Sequence, residues 1–184
     1  RPLDRVFGTE TALQVVRLSH IPVLAVPADA AALPRSAVLA VDFSGFSRRA
    51  APAALWVLDP PWDVHLVHVI SGMEFLPTVS ETWRGEYEAE LRSRLASLAG
   101  LVSPVGGSKV HVHLLEGEPA HEILSYAEGR GVEMIVAGSH GLSFMGRLLM
   151  GSVSTRLVRG ARVPVMVVPP AETAVELQET SARG

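Results

Sequence analysis

Residues 134–169 read MIVAGSHGLSFMGRLLMGSVSTRLVRGARVPVMVVP, which puts a strand, a glycine-punctuated loop, a helix start and a second strand into one stretch. Met134-Ile135-Val136-Ala137 is a short apolar run closed by Gly138, the pattern of a central parallel strand covered on both faces. Gly138 and Gly141 can adopt backbone angles closed to other residues, so the chain can turn sharply at the strand's end and leave N–H groups uncovered. Gly151-Ser152-Val153-Ser154 then precedes Leu157 and Val158. Free amides, two hydroxyls and the positive end of a helix dipole would converge there on an anion. A tight strand-to-helix turn that binds nothing is the plainer alternative for the same residues.

Charge favours the anion. Residues 134–171 contain no Asp or Glu, while Arg147, Arg156, Arg159 and Arg162 all fall inside them. Against a net charge of -3 for the chain, this is a local positive surplus suited to phosphate. The same net charge argues against nucleic acid as a partner.

Working outward, strand and helix patterns alternate. Residues 37–41 are a continuous apolar strand, and Asp42-Phe43-Ser44-Gly45 turns into a helix expected over residues 48–58, which Pro52 disturbs unless it starts late. Residues 64–70 form a second buried strand after the breaker Asp59-Pro60-Pro61. From Leu76, apolar residues at 79, 83, 87, 91, 95, 98 and 102 mark a long amphipathic helix, so Trp83 and Tyr87 are expected in the core. Residues 109–115 alternate as an edge strand, and Glu116-Gly117-Glu118-Pro119 leads into a helix through Arg130. Such alternation requires a parallel sheet with right-handed crossovers and helices on both faces.

The chain also repeats itself. Gly8-Thr9-Glu10-Thr11 followed by Ile21-Pro22-Val23-Leu24-Ala25-Val26-Pro27 echoes Gly151-Ser152-Val153-Ser154 followed by Val163-Pro164-Val165-Met166-Val167-Val168-Pro169. At 184 residues the chain can bury about 70% of its unfolded surface. It is 48% hydrophobic and 19% charged, and no apolar run reaches the roughly 20 residues of a membrane helix. It has no Cys, which excludes disulfides and thiolate chemistry and fits a reducing cytoplasm.

At Gly138, Gly141, Gly151 and Ser152 the sequence resembles the universal stress proteins, whose nucleotide-binding members carry G-x2-G-x9-G-[ST] with these spacings. The resemblance covers residues 36–169 as a complete domain. It implies an α/β fold with an open five-stranded parallel sheet in order 3-2-1-4-5, of the adenine nucleotide alpha hydrolase-like kind. The ligand would lie beyond the strand ends where the order reverses, with Asp42 opposite Gly138. Carried over singly, Asp42 would hydrogen-bond the adenine or ribose side of ATP, or else cap the following helix. Val69 would contact adenine, and Gly117 would border it. Ala137 stands where a larger apolar residue, often Met or Val, is common, which loosens the base pocket. Gly138 and Gly141 would admit ribose and phosphate, and Gly151, Ser152, Val153 and Ser154 would hold the phosphates.

The implied ligand is ATP, with AMP or cyclic AMP as alternatives and Mg2+ as a companion ion of ATP. The implied role is a cytoplasmic stress-response regulator. Family members often occur in tandem, so residues 1–27 are expected to be the last helix and strand of a preceding domain, residues 28–35 a linker and residues 170–184 a frayed tail. Family dimers pair their last strands antiparallel. Residues 21–26 should therefore dock on residues 163–168, in a tandem pseudo-dimer or a homodimer.

Other chemistries find less support. His65, His68, His111 and His113 lie on strands expected to be neighbours, but alternate pairs point to opposite faces and no carboxylate or thiol completes a metal set. His140, in the loop, could touch phosphate or face water. An ATPase would need a cation on the γ-phosphate, and Lys109, the one lysine, is on the wrong strand. At most a slow ATPase is expected. A nucleotide-free dimerisation module is the other rival. Ser, His and Asp are all present without a G-x-S-x-G elbow.

Overall fold

The computed structural model describes residues 2–30, 32–72, 80–102, 106–139 and 150–169. His140, Gly141, Arg147, Leu76 and the 170–184 tail lie outside the described residues. In chain order the elements are α1 (Pro2–Leu18), β1 (Val23–Ala25), β2 (Ser36–Ala40), α2 (Gly45–Leu55), β3 (Asp63–Ile70) and α3 (Glu81–Ala99). They continue with β4 (Lys109–Glu116), α4 (Pro119–Arg130), β5 (Met134–Gly138), α5 (Ser152–Gly160) and β6 (Val165–Val168). No described helix is long and apolar enough to cross a membrane.

The strands form one sheet in the order β1-β6-β5-β2-β3-β4. Counting β2 to β6 as first to fifth, the order is the expected 3-2-1-4-5, and these five are parallel. The sheet nevertheless has six strands, not five, because β1 adds to β6 in the antiparallel sense, Val23 opposite Val167 and Ala25 opposite Val165. Without β1, the fully apolar and buried Val165-Met166-Val167-Val168 would be an open edge. The docking expected over residues 21–26 is narrower in fact: Ile21 and Val26 are exposed, and only Val23–Ala25 pairs.

Side chains alternate across the sheet. Leu39, Leu66 and Val136 face the layer of α2 and α3, whereas Val38, Val67 and Ile135 face α4 and α5. The second layer also takes in α1, through buried Val16 and an Arg159–Glu10 ion pair of 2.7 Å between α5 and α1.

Two helices differ from expectation. α2 begins at Gly45, three residues before the expected 48, and carries Pro52 inside it on an exposed face. Its missing N–H removes one intrahelical bond without burying the loss. α3 is capped by Ser80, whose Oγ accepts from the Trp83 N–H at 3.3 Å. Trp83 is not in the core: it is 44% exposed and stacks on Tyr87 with ring centroids 5.1 Å apart. The buried residues of α3 are Leu91 and Leu95, in its later turns.

Candidate functional site

Because β2, β3, β4 and β5 are parallel, their C-terminal ends lie along one rim of the sheet. Ala40 pairs with Val67 and Leu39 with Val136, so continuing the register by two residues brings Asp42 level with Val69, and Gly138 level with Val41, one residue short of Asp42. The order reverses between β2 and β5, which opens a crevice there. Val69 is 9% exposed and Ala137 3%, both packed in the layer under α4 and α5. Gly117 follows β4 on the same rim, with its N–H donating to the Ile70 carbonyl at 2.9 Å. Its φ is 141°, and an added Cβ would lie 2.9 Å from Cγ and Oε1 of Glu122, so any other residue would be strained there and would push the Glu122 side chain aside.

Asp42 sits in a tight turn rather than at the cap of α2. Its Oδ1 accepts from the Ser44 N–H at 3.0 Å and from the Ser44 hydroxyl, while Ser44 occupies the cap position. The turn forces Phe43 to φ 60°, the left-handed region that bulky residues avoid. Phe43 is held there between the His68 ring, at 4.7 Å, and the Arg94 guanidinium, 4.0 Å above its centroid. His68 in turn donates from Nδ1 to the Val41 carbonyl at 2.6 Å. One carboxylate oxygen of Asp42 thus fixes the turn.

The junction of β5 and α5 is tied together by Ser139, a buried residue that sequence reading passed over. Its N–H donates to the Val168 carbonyl at 2.9 Å, and its carbonyl accepts from the Gly151 N–H at 2.7 Å and from the Ser154 hydroxyl at 3.2 Å. Ser154 is only 3% exposed and also donates to the Gly151 carbonyl at 3.0 Å. The Gly151 amide and the Ser154 hydroxyl are therefore engaged within the protein, whereas the side chain of Ser152 is exposed. α5 starts without a side-chain cap and without an acidic residue in its first turn, leaving the dipole's positive end unbalanced by any side chain of that turn.

The positive surplus of residues 134–171 does not survive folding as a free field. Arg156 pairs with Glu118 at 2.8 Å, Arg159 with Glu10 at 2.7 Å and Arg162 with Glu128 at 3.0 Å. Distant glutamates, invisible in the sequence window, neutralise the described arginines. Glu118 also caps α4, accepting from the Ala120 N–H at 3.3 Å and the His121 N–H at 2.9 Å. Burial by itself would raise its carboxyl, but the His121 and Ala120 amides and Arg156 outweigh it and hold the group below its ordinary value.

The histidines divide as the strand period requires. His68 faces the α2 and α3 side, while His65, His111 and His113 gather on the other face beside Tyr126. His65 Nδ1 is 3.0 Å from the Tyr126 hydroxyl and 3.5 Å from His113 Nε2. Its ring stacks on His111 at an interplanar angle of 15°, so their in-plane lone pairs cannot meet on one ion. Among the described residues no group of three or more His, Asp or Glu is arranged to hold a metal ion. Burial, followed by His111 and His113, pushes His65 down to about 4. Burial, Arg130 and His111 lower His113 in the same sense.

Known proteins share this architecture. The chain is 44% identical to Universal stress protein MJ0531 of Methanocaldococcus jannaschii over 62 residues, which are 34% of this chain and 36% of that protein. The chain therefore spans about a third of that relative's length. The solved structure of MJ0577 from the same organism superposes with a TM-score of 0.69 at 25% identity, covering 77% of this chain and 100% of that one. A universal stress protein solved in complex with cAMP superposes with a TM-score of 0.56 at 20% identity, covering 75% of this chain and 98% of its own. The profile of the Universal stress protein family matches residues 35–169, which contain every element from β2 to β6, and the chain belongs to that family.

Proposed function

We propose that residues 36–169 bind an adenine nucleotide and act as a regulatory module in a stress response. The phosphates would lie on the first turn of α5 and the base near Asp42, Val69, Gly117 and Ala137. The observation that carries this reading is the uncapped, acid-free start of α5 at the rim where the strand order reverses. Ser139 holds that start against the end of β5, so the amides are fixed before any ligand arrives. A family member of the same fold has been seen with cAMP, which makes adenine nucleotides the class to test. Mg2+ would be held chiefly by the phosphates of ATP, since the described side chains form no metal cluster. Mass spectrometry of ligand released from purified protein is the test: ATP, AMP or cyclic AMP is expected, and a different class of ligand would overturn the reading.

The module is proposed as a binder rather than an ATPase. Lys109 begins β4 opposite Asp63, at the end of the sheet away from α5's start, so no lysine stands by the phosphates. Phosphate release at about 1 to 1000 per second, the ordinary enzymatic range, would favour the ATPase instead. A second reading draws on the β1–β6 ladder: α1 and β1 would be the last helix and strand of another such unit, forming half of a pseudo-dimer.

A further inference from the structure

Beside the start of α5 lies an ion pair to which the nucleotide reading gives no role. Arg156 Nη1 lies 2.8 Å from Glu118 Oε1 and links the second turn of α5 to the residue that caps α4. Helical side chains lean toward the N-terminus and cover the turn before their own Cα, and positions four apart share a face. Arg156 therefore covers the Ser152 side of the first turn of α5. Arg159 and Arg162 are directed elsewhere, to Glu10 on α1 and to Glu128 in the last turn of α4. Glu118 does not depend on Arg156 for its position, because the Ala120 and His121 amides already hold its two oxygens.

We propose that Glu118 and the outer phosphates of a nucleotide compete for Arg156. This rests on the nucleotide reading and adds to it the basis on which the site counts phosphates. Without ligand the guanidinium is held by the carboxylate. A monophosphate seated on the first-turn amides leaves that pair intact. A longer polyphosphate extends over the Ser152 side and presents oxygens of greater total charge in the geometry that a guanidinium binds best, so Arg156 changes partner. Glu118 opposes the exchange and sets how strongly ATP is preferred to AMP. The pair is exposed and weak, its side chains 60% and 45% exposed, which makes the exchange accessible.

The test is calorimetric titration of the full chain with AMP, ADP and ATP, for the wild type and for Arg156→Gln and Glu118→Gln. Gln at 118 keeps an oxygen for the α4 amides. The wild type is expected to bind ATP more tightly than AMP. Arg156→Gln should weaken ATP by about tenfold, the worth of one charge-assisted contact less that of an exposed ion pair, and leave AMP unchanged. Glu118→Gln should tighten ATP a few-fold and also leave AMP unchanged. The ratio of ATP to AMP affinity is the deciding quantity, since a loosened fold would weaken both. If both variants bind with the wild-type ratio, the exchange does not occur while the nucleotide site stands. A wild type that binds none of the three overturns the site and the exchange together.

Discussion

Ser152 and Ser154 are equivalent in sequence and are expected to behave oppositely when each is changed to Ala. The Ser154 hydroxyl donates to the Ser139 and Gly151 carbonyls. Neither carbonyl is orphaned by its loss, because the Gly151 N–H still reaches Ser139 O at 2.7 Å and the Thr155 N–H reaches Gly151 O at 3.0 Å. The cost is then one ordinary hydrogen bond, about 1 kcal/mol, or a fall in melting temperature of about 2–4 °C for a chain of this size. Nucleotide affinity should fall less than about fivefold, through a looser α5 start alone. Ser152 is exposed and its change should leave melting unaltered, while loss of a charge-assisted bond to phosphate, about 1.5–3 kcal/mol, weakens affinity by about 10- to 100-fold. Differential scanning calorimetry with nucleotide titration reads both. A Ser154→Ala protein with unchanged melting and more than tenfold weaker binding would refute the assignment of its hydroxyl to the fold.

Three further outcomes are expected. His65 has a folded value of about 4 against an ordinary 6.5, so between these values the unfolded chain binds a proton that the folded chain does not, and stability falls as pH drops through that window. The full difference would be about 3.4 kcal/mol, which screening at a partly exposed ring reduces to about 1 kcal/mol; His65→Gln should flatten the urea midpoint between pH 7 and 4, and an unchanged slope would count against it. Gly117→Ala should lower stability by about 1–2 kcal/mol at constant denaturant slope, given its φ of 141° and the 2.9 Å approach to Glu122; a midpoint equal to that of wild type would contradict the strain. Deleting residues 1–27 removes buried Leu13 and Val16, worth about 1.5–3 kcal/mol each, and bares the β6 edge, so both melting temperature and mass by light scattering should change; if neither does, the α1 and β1 contact is not stabilising.

Much of the fold was legible because its signals are local. Apolar runs mark four of the parallel strands and an alternating pattern marks β4, and the residues at their ends fall on one rim once the order is known. What misled was periodicity read beyond its support. The stripe through Trp83 and Tyr87 continues that of Leu91 and Leu95, but only the later turns are buried. The charge surplus misleads for a related reason, since Glu10, Glu118 and Glu128 reach it from far along the chain. The separate fates of Ser152 and Ser154 were legible in principle. Residues two apart on a helix point to opposite sides, and Ser154 shares its side with Leu157 and Ala161, both buried. Ser139 carried no such signal, because it acts mainly through its backbone.

The central claim is most directly tested by isothermal titration of the full chain with ATP, AMP and cyclic AMP, beside a Gly151→Val variant shown to be folded. Saturable binding to the wild type that is lost in the variant is the predicted result, because a β-branched side chain at the start of α5 fills the space a phosphate needs. Absence of heat with every nucleotide in the folded wild type would contradict it.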